Sequence, residues 1–595
     1  MLLGKLNGAY VIISLFLLLI GCKKEKETIT EKKDLNHKLQ ERYQEYLALG
    51  INALDKIANT KDIDSAKILY KEARKQFKYA EPILAYIDAE NYKFLNQPNI
   101  TKVEEDDFTD IKIKKPSGFQ VLEETIFADE PELNEIHFHS VKTKNRLVFT
   151  KNNADLSFLK DHHILWIIRD ALMRVSLTGV TGFDSPVLEN SLAEGQWVYR
   201  SVQDIISMHK ERFSNSNLLT QWNNHFEKTV ANLTGEFNSF DRYSFMKNHT
   251  FTGLLLFNKT VDDWNVSFPF NRSIKNDVTS LYSDKTFNLS YFSGEKFDSL
   301  NVRKIALGKQ LFHDKDLSNG KAMSCATCHN PKKQYTDGLK IGKKVSRNTP
   351  TLLYASLQKG FFYDNRSGSL EGQIISVVEN ENEFHSNLKH VEEVVNQNKE
   401  YVVQFDSLYR QGANELNIRN AIATFIRSLT PFNSKVDKNL NGIESTLTES
   451  EINGFNLFHG KAKCATCHFP PSYNGTVPIL YKESEMELIG IPKFNDTINA
   501  IVDTDLGAYE VYKTEERKYF FKTSTIRNVD MTGPYMHNGV YNTLEEVVDF
   551  YNRGGGAGIG INLEAQTLPP DALKLSKNEV NDLVLFMKAL SDPIE

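Results

Sequence analysis

Cys325-Ala326-Thr327-Cys328-His329 and Cys464-Ala465-Thr466-Cys467-His468 are two copies of Cys-x-x-Cys-His, and they constrain this chain more than any other feature. The spacing has a chemical reason. Cysteines three apart at the start of a helix face one side, where both sulfurs can bond the vinyl groups of one porphyrin. The histidine that follows then reaches the iron as proximal axial ligand. A zinc reading fails on ligand count, because it leaves both following histidines unexplained. The chain is therefore expected to carry two covalent c-type haems, ligated by His329 and His468. It has five cysteines; the motifs use four, and no pair is left for a disulfide.

The fifth, Cys22, bears on location. Lys5 precedes the apolar run Ala9 to Ile20, which is too short for an ordinary membrane span and ends in Leu19-Ile20-Gly21-Cys22. That ending resembles a bacterial lipobox. The resemblance implies a lipoprotein signal peptide over residues 1–22, with Cys22 lipidated and a membrane-anchored body facing the periplasm or cell exterior. The alternative is an uncleaved anchor helix. Residues 23–38 are polar and read as a tether.

At 595 residues, with 40% hydrophobic and 25% charged residues, the chain is globular and long enough for several domains. A formal net charge of −6 gives no reason to expect nucleic acid. The N-terminal third mixes Lys with Glu and Asp and reads as ordinary solvated faces.

The fold class expected is all-α: two tandem cytochrome c-like haem domains preceded by a helical-bundle domain. Residues 39–290 form the bundle, with apolar positions at helical spacing in Tyr43, Tyr46, Leu47, Ile51 and Leu54, and again in Phe77, Ala80, Ile83, Leu84 and Ile87. Helices are expected again over Ile164 to Val175 and Ser207 to Leu233. Gly118-Phe119-Gln120-Val121-Leu122-Glu123, preceded by helices containing Phe77, Glu81 and Tyr92, resembles the imelysin-like family of exported helical proteins. Its signature has histidine where Gln120 stands, and an amide is a poor metal ligand, so a shared fold is implied without a working metal site. The haem domains are expected over residues 296–440 and 441–595. Each motif follows a lead helix, Lys304 to Phe312 and Glu449 to Phe458, and Ser576 to Leu590 closes the chain as a packing helix.

The residues around the motifs carry a family resemblance. Leu311-Phe312-His313-Asp314, Arg347-Asn348-Thr349-Pro350, Tyr363-Asp364-Asn365-Arg366, Ser524-Thr525-Ile526-Arg527-Asn528 and Thr532-Gly533-Pro534-Tyr535-Met536-His537-Asn538-Gly539 resemble, in order and spacing, the bacterial diheme cytochrome c peroxidases and MauG. By that resemblance the first haem is the peroxide site, with Gln373 and Glu383 on its open face. Heterolytic cleavage of the O–O bond needs a base that takes a proton from one oxygen and returns it to the other, while a neutral amide steadies the peroxide. Glu379 and Glu381 share the acidic run, and any of the three carboxylates is otherwise a solvated surface group. Most peroxidases of the family hold a histidine on this haem at rest. This chain has none between His329 and Arg347, which implies a first haem open without reductive activation.

The resemblance also places Tyr551 as second axial ligand of the His468 haem, where the peroxidases proper use methionine and MauG uses tyrosine. The alternative is that Tyr551 is a packed aromatic and Met531 or Met536 binds the iron. Tyr363 stands where the family has a tryptophan between the haems, as relay or as core. A calcium ion is implied at Asn348, Thr532 and Pro534, Asn348 being otherwise a turn residue. The function implied is a diheme peroxidase that reduces hydrogen peroxide with electrons from a small cytochrome c or cupredoxin. A homodimer is one arrangement open to it. The alternatives are MauG-like oxidation of a protein or organic substrate, and a pure electron-transfer cytochrome.

Overall fold

The computed structural model describes residues 34–104, 112–293 and 301–593. The apolar run, Cys22 and most of the tether lie outside the described residues. Among the described residues no helix is long and apolar enough to cross a membrane.

The periodicity near the N-terminus becomes three helices, 34–59, Ile63–Ile87 and Ala89–Asn96. Residues 34–38, read as the end of a tether, already belong to the first. Asp62 and Asp88 cap the next two through the amides of Ser65 and Asn91, which satisfies orphan donors at each turn. Phe119–Ile126, Leu133–Asn152, Asp161–Leu177, Ser191–Met208, Ser216–Asn232 and Phe251–Asp263 follow in the bundle. The helix expected across Ser207 to Leu233 is interrupted after Met208. Asn215 ends the break, accepting from the amides of Asn217 and Leu218 and starting a new helix, the local competition that short polar side chains offer to a continuous helix.

The mixed charges of this region are not all solvated. Lys78 lies 2.6 Å from Asp184, 3.2 Å from Glu81 and 3.3 Å from Glu194, and all four side chains are buried. Arg74 grips Glu194 through Nε and Nη2 at 2.7 and 2.9 Å, and donates also to Asn96 Oδ1 and Asp184 O. Helical spacing placed these charges on the inward face, and opposite signs arriving from distant segments let them stay there. Removing one partner strands the others. Glu194→Ala is expected to destabilise the bundle by about 3–5 kcal/mol, read as a loss of roughly 10 °C in its thermal unfolding. Gln120 donates to Asn96 O at 3.0 Å, and Glu123 accepts from Tyr70, Ser185 and the amides of Val187 and Leu188. These polar atoms serve packing, and no cluster of three or more metal-ligating side chains occurs among the described residues.

The two haem domains share one plan. The lead helix Val302–His313 crosses Glu415–Ser428, and Glu449–Phe458 crosses Lys577–Ala589. Each crossing needs a glycine. A Cβ on Gly308 would lie 2.0 Å from Ala421 O, and one on Gly454 would lie 2.0 Å from Asp582 O. Capping boxes at Thr448 and Ser576 start both helices of the second pair.

The boundary expected near residue 290 is not a boundary in packing. Tyr243, Met246, Leu254, Tyr282 and Phe287 share one apolar core with Tyr473, Phe458 and Phe586 of the second haem domain. Periodicity shows that a helix has an apolar face without showing what that face meets.

Candidate active site

A cavity of about 960 Å³ opens beside the first motif, lined by Cys325, Cys328, His329, Tyr363, Gln373, Glu383 and Arg366 among others. Neither cysteine is in a disulfide. Ser324 starts the short helix Cys325–Cys328, its amide donating to Thr327 Oγ1 at 2.9 Å. His329 Nδ1 donates to Tyr335 O at 3.0 Å, which fixes the tautomer and leaves Nε2 as the free lone pair. Burial lowers the pKa of this imidazole and keeps it neutral. Two thiols, a neutral imidazole with its other nitrogen occupied and a roomy, largely apolar cavity are the donor set a covalent haem requires.

Of the three candidate carboxylates, only Glu383 lines this cavity; Glu379 and Glu381 are exposed. Glu383 is half-buried. Burial raises its pKa above the ordinary glutamate value, partly offset by Asn380 Nδ2 donating to Oε2 at 2.8 Å and by Arg366 nearby. Gln373, from the helix Leu370–Glu379, shares the cavity, and His329 is the only histidine among its lining residues.

Where the two haem domains meet, Arg347 donates to Asp364 at 2.6 Å and to both oxygens of Asp505 at 2.6 and 2.8 Å, tying the two domains together. Tyr363 Oη donates to Asn348 Oδ1 at 3.3 Å, and the Asn348 amide donates to His537 O at 2.7 Å. Asn348 therefore sits against the turn that carries Thr532 and Pro534. Among the described residues the carbonyls of Thr532 and Pro534 accept no backbone hydrogen bond outside regular elements. His537 stacks on Phe521 at 3.8 Å and its Nε2 lies 2.7 Å from Asp503.

At the second motif the helix expected at the cysteines is a 3-10 turn, Cys464–Thr466, entered from a left-handed Lys463. His468 Nδ1 donates to Ser524 O at 3.0 Å and again leaves Nε2 free. Tyr551, on the helix Leu544–Asn552, lies in the neighbourhood of Cys464 and Cys467. Burial raises its pKa. Met536 packs in the same small core as Tyr551, whereas Met531 Sδ accepts from Gln334 of the first domain at 3.8 Å.

The profile of the di-haem cytochrome c peroxidase family matches residues 302–445. The cytochrome-c peroxidase IdrP2 of Pseudomonas sp. (strain SCT) is 33% identical over 322 residues, which span 49% of this chain and 83% of that protein. This chain belongs to the di-haem cytochrome c peroxidases. The cytochrome c551 peroxidase of Nitrosomonas europaea is 32% identical over 299 residues (49% of this chain, 80% of that protein). The methylamine utilization protein MauG of Methylorubrum extorquens is 31% identical over 302 residues (50% and 80%). As a di-haem peroxidase the protein is an oxidoreductase with two c-type haems, acting on hydrogen peroxide with electrons from a cytochrome-type donor. The oxidase alternative is not favoured.

Two groups of this di-haem peroxidase were not anticipated. Glu487 lies near Cys467 and Thr567, and burial pushes its carboxyl up to about 7. A single acid in an irregular stretch gives no pattern to read. Arg527 was visible only as part of a matching string. It donates to both oxygens of Asp437 at 2.9 and 2.8 Å and stacks over Phe432 and Tyr354, fastening the second haem domain to the first.

Proposed function

We propose that hydrogen peroxide is reduced in the cavity over His329, with Glu383 as the proton-transfer group and Gln373 as the positioning amide. Electrons enter through the second haem, held by His468 and Tyr551. The observation that carries this reading is the placement of one half-buried carboxyl with a raised pKa in the same cavity as the ligating imidazole and a neutral amide. When bound, the first haem supplies the electrons and the iron at which the O–O bond is reduced.

The protein's own groups do the rest. Glu383, deprotonated, takes a proton from one peroxide oxygen and delivers it to the other, which leaves as water. The Gln373 side chain is neutral and cannot compete for that proton, so it orients the substrate by hydrogen bonding alone. Asn380 holds the Glu383 carboxylate by one oxygen and leaves the other for peroxide.

Tyr363, hydrogen-bonded to Asn348 where the two haem domains meet, is the residue through which electrons pass from one haem to the other. Asn348 Oδ1, the carbonyls of Thr532 and Pro534 and waters that complete the shell form an all-oxygen calcium site that pins this junction. Export, with lipidation at Cys22 and a membrane-anchored body, completes the reading, since c-type haems are attached outside the cytoplasm. A small cytochrome c or a cupredoxin is the donor.

An anaerobic assay tests this reading. With reduced cytochrome c in excess, two donors should be oxidised for each peroxide consumed. Loss of peroxide without donor oxidation would contradict it.

A further inference from the structure

The two haem domains repeat Gly-x-x-Leu-Phe-His at the ends of their lead helices, Gly308 to His313 and Gly454 to His459. They also repeat the tyrosine whose carbonyl faces the haem histidine. Tyr335 O accepts from His329 Nδ1 at 3.0 Å, and Tyr473 O lies 3.4 Å from His468 Nδ1. The halves differ at the repeated histidine. His313 is exposed, whereas His459 is 1% exposed, stacks on Phe455 at 4.0 Å, and has its Nε2 3.3 Å from the Tyr473 hydroxyl.

The proton positions follow from the partners. His459 Nδ1 lies 2.8 Å from Phe455 O, and a carbonyl only accepts, so Nδ1 carries the hydrogen. Burial pushes the pKa of this imidazole down to about 3, so the ring is neutral and Nε2 is a bare acceptor. Tyr473 must therefore donate to Nε2, and its oxygen accepts the hydroxyl of Tyr282 at 2.7 Å. Tyr282 and Tyr473 are fully buried. Arg527, 5.7 Å from the Tyr473 ring, is neutralised by Asp437.

A buried phenol ordinarily resists oxidation, because the radical cation left behind has nowhere to send its proton. Here a neutral imidazole is already hydrogen-bonded to it. The ring is also joined to the iron ligand, through its own carbonyl and through Phe458, whose ring is 5.6 Å from Tyr473 and 6.4 Å from His468.

We propose that Tyr473 is a redox-active residue, giving one electron to the second haem when peroxide has oxidised the protein and no donor is bound, while its phenolic proton passes to His459 Nε2. The proposal rests on peroxide being the oxidant, as argued above. Hydrogen peroxide takes two electrons and two protons to become two waters, which leaves the haems two electrons short. Tyr473 supplies one of these. Its O–H bond breaks, an N–H bond forms on His459, and a neutral phenoxyl remains, stabilised by the hydrogen bond from Tyr282. A reduced donor returns the electron, and the proton moves back. An oxidising equivalent is thereby kept in a dry, defined place instead of attacking the porphyrin.

The test uses the two-haem protein, treated with peroxide without donor, frozen, and read by electron paramagnetic resonance. A tyrosyl radical is expected, its hyperfine splitting narrowed by ring-deuterated tyrosine. Tyr473→Phe should lower the tyrosyl yield by roughly tenfold or more, and His459→Leu should slow its formation by about a hundredfold for want of the base. Tyr282→Phe should keep the radical and alter its spectrum. If Tyr473→Phe does not fold, Tyr282→Phe decides: an unaltered tyrosyl spectrum overturns the proposal. So does an undiminished signal in Tyr473→Phe. A haem absorbance change without any tyrosyl signal overturns it and leaves the peroxidase reading standing; no haem change on adding peroxide removes both.

Discussion

Glu383→Gln should keep both haem absorption spectra and lose peroxide turnover by roughly a hundredfold to ten-thousandfold, the range for removal of a positioned proton-transfer group. The substitution keeps shape and polarity and removes only the ability to take a proton. The bond from Asn380 Nδ2 survives on the amide oxygen, so the local fold should hold. The pH profile supplies an independent signature. Burial raises the Glu383 pKa, and the group acts deprotonated, so kcat/KM should fall as pH drops through a value above the ordinary glutamate range. That acid limb should disappear in the variant. Unchanged turnover, or an acid limb that persists, would mean that another group moves the proton.

Tyr551→Met should raise the reduction potential of the second haem by on the order of 0.1 V, since a phenolate favours ferric iron and a thioether favours ferrous iron. The first haem should be little affected. Spectroelectrochemical titration of the two haems reads both values in one experiment. The expectation rests on Tyr551 lying beside Cys464 and Cys467. An unmoved potential would reject Tyr551 as a ligand and return Met536, which packs in the same small core, to consideration.

Much of this was legible in the residues because the relevant signals are local. The lead helix Glu449–Phe458 emerged with the limits expected, and Val302–His313 and Lys577–Ala589 within two residues of theirs, since 3.6-residue periodicity and Asn, Ser or Thr caps act within a few residues. The two motif histidines were read from spacing and Glu383 from the family resemblance, and the structure sets Glu383 and His329 in one cavity. The rest depends on distant segments meeting. Nothing near Lys78 announces that Asp184 and Glu194 will arrive to pair with it, so its charge read as solvated. Tyr282 and His459 are ordinary residues in isolation, and only the shared core brings them to Tyr473. The Gly-x-x-Leu-Phe-His repeat is visible in the chain, yet its meaning appears only when Gly308 and Gly454 are seen against carbonyls of the crossing helices.

In the function proposed above the two haems differ: the His329 iron would have one protein ligand and an open face toward Glu383, and the His468 iron would have two. Electron paramagnetic resonance of the oxidised two-haem protein at neutral pH tests this most directly, because it reports both coordination spheres at once. A high-spin ferric signal beside a six-coordinate low-spin signal is the predicted result. Two low-spin signals and no high-spin component would contradict it.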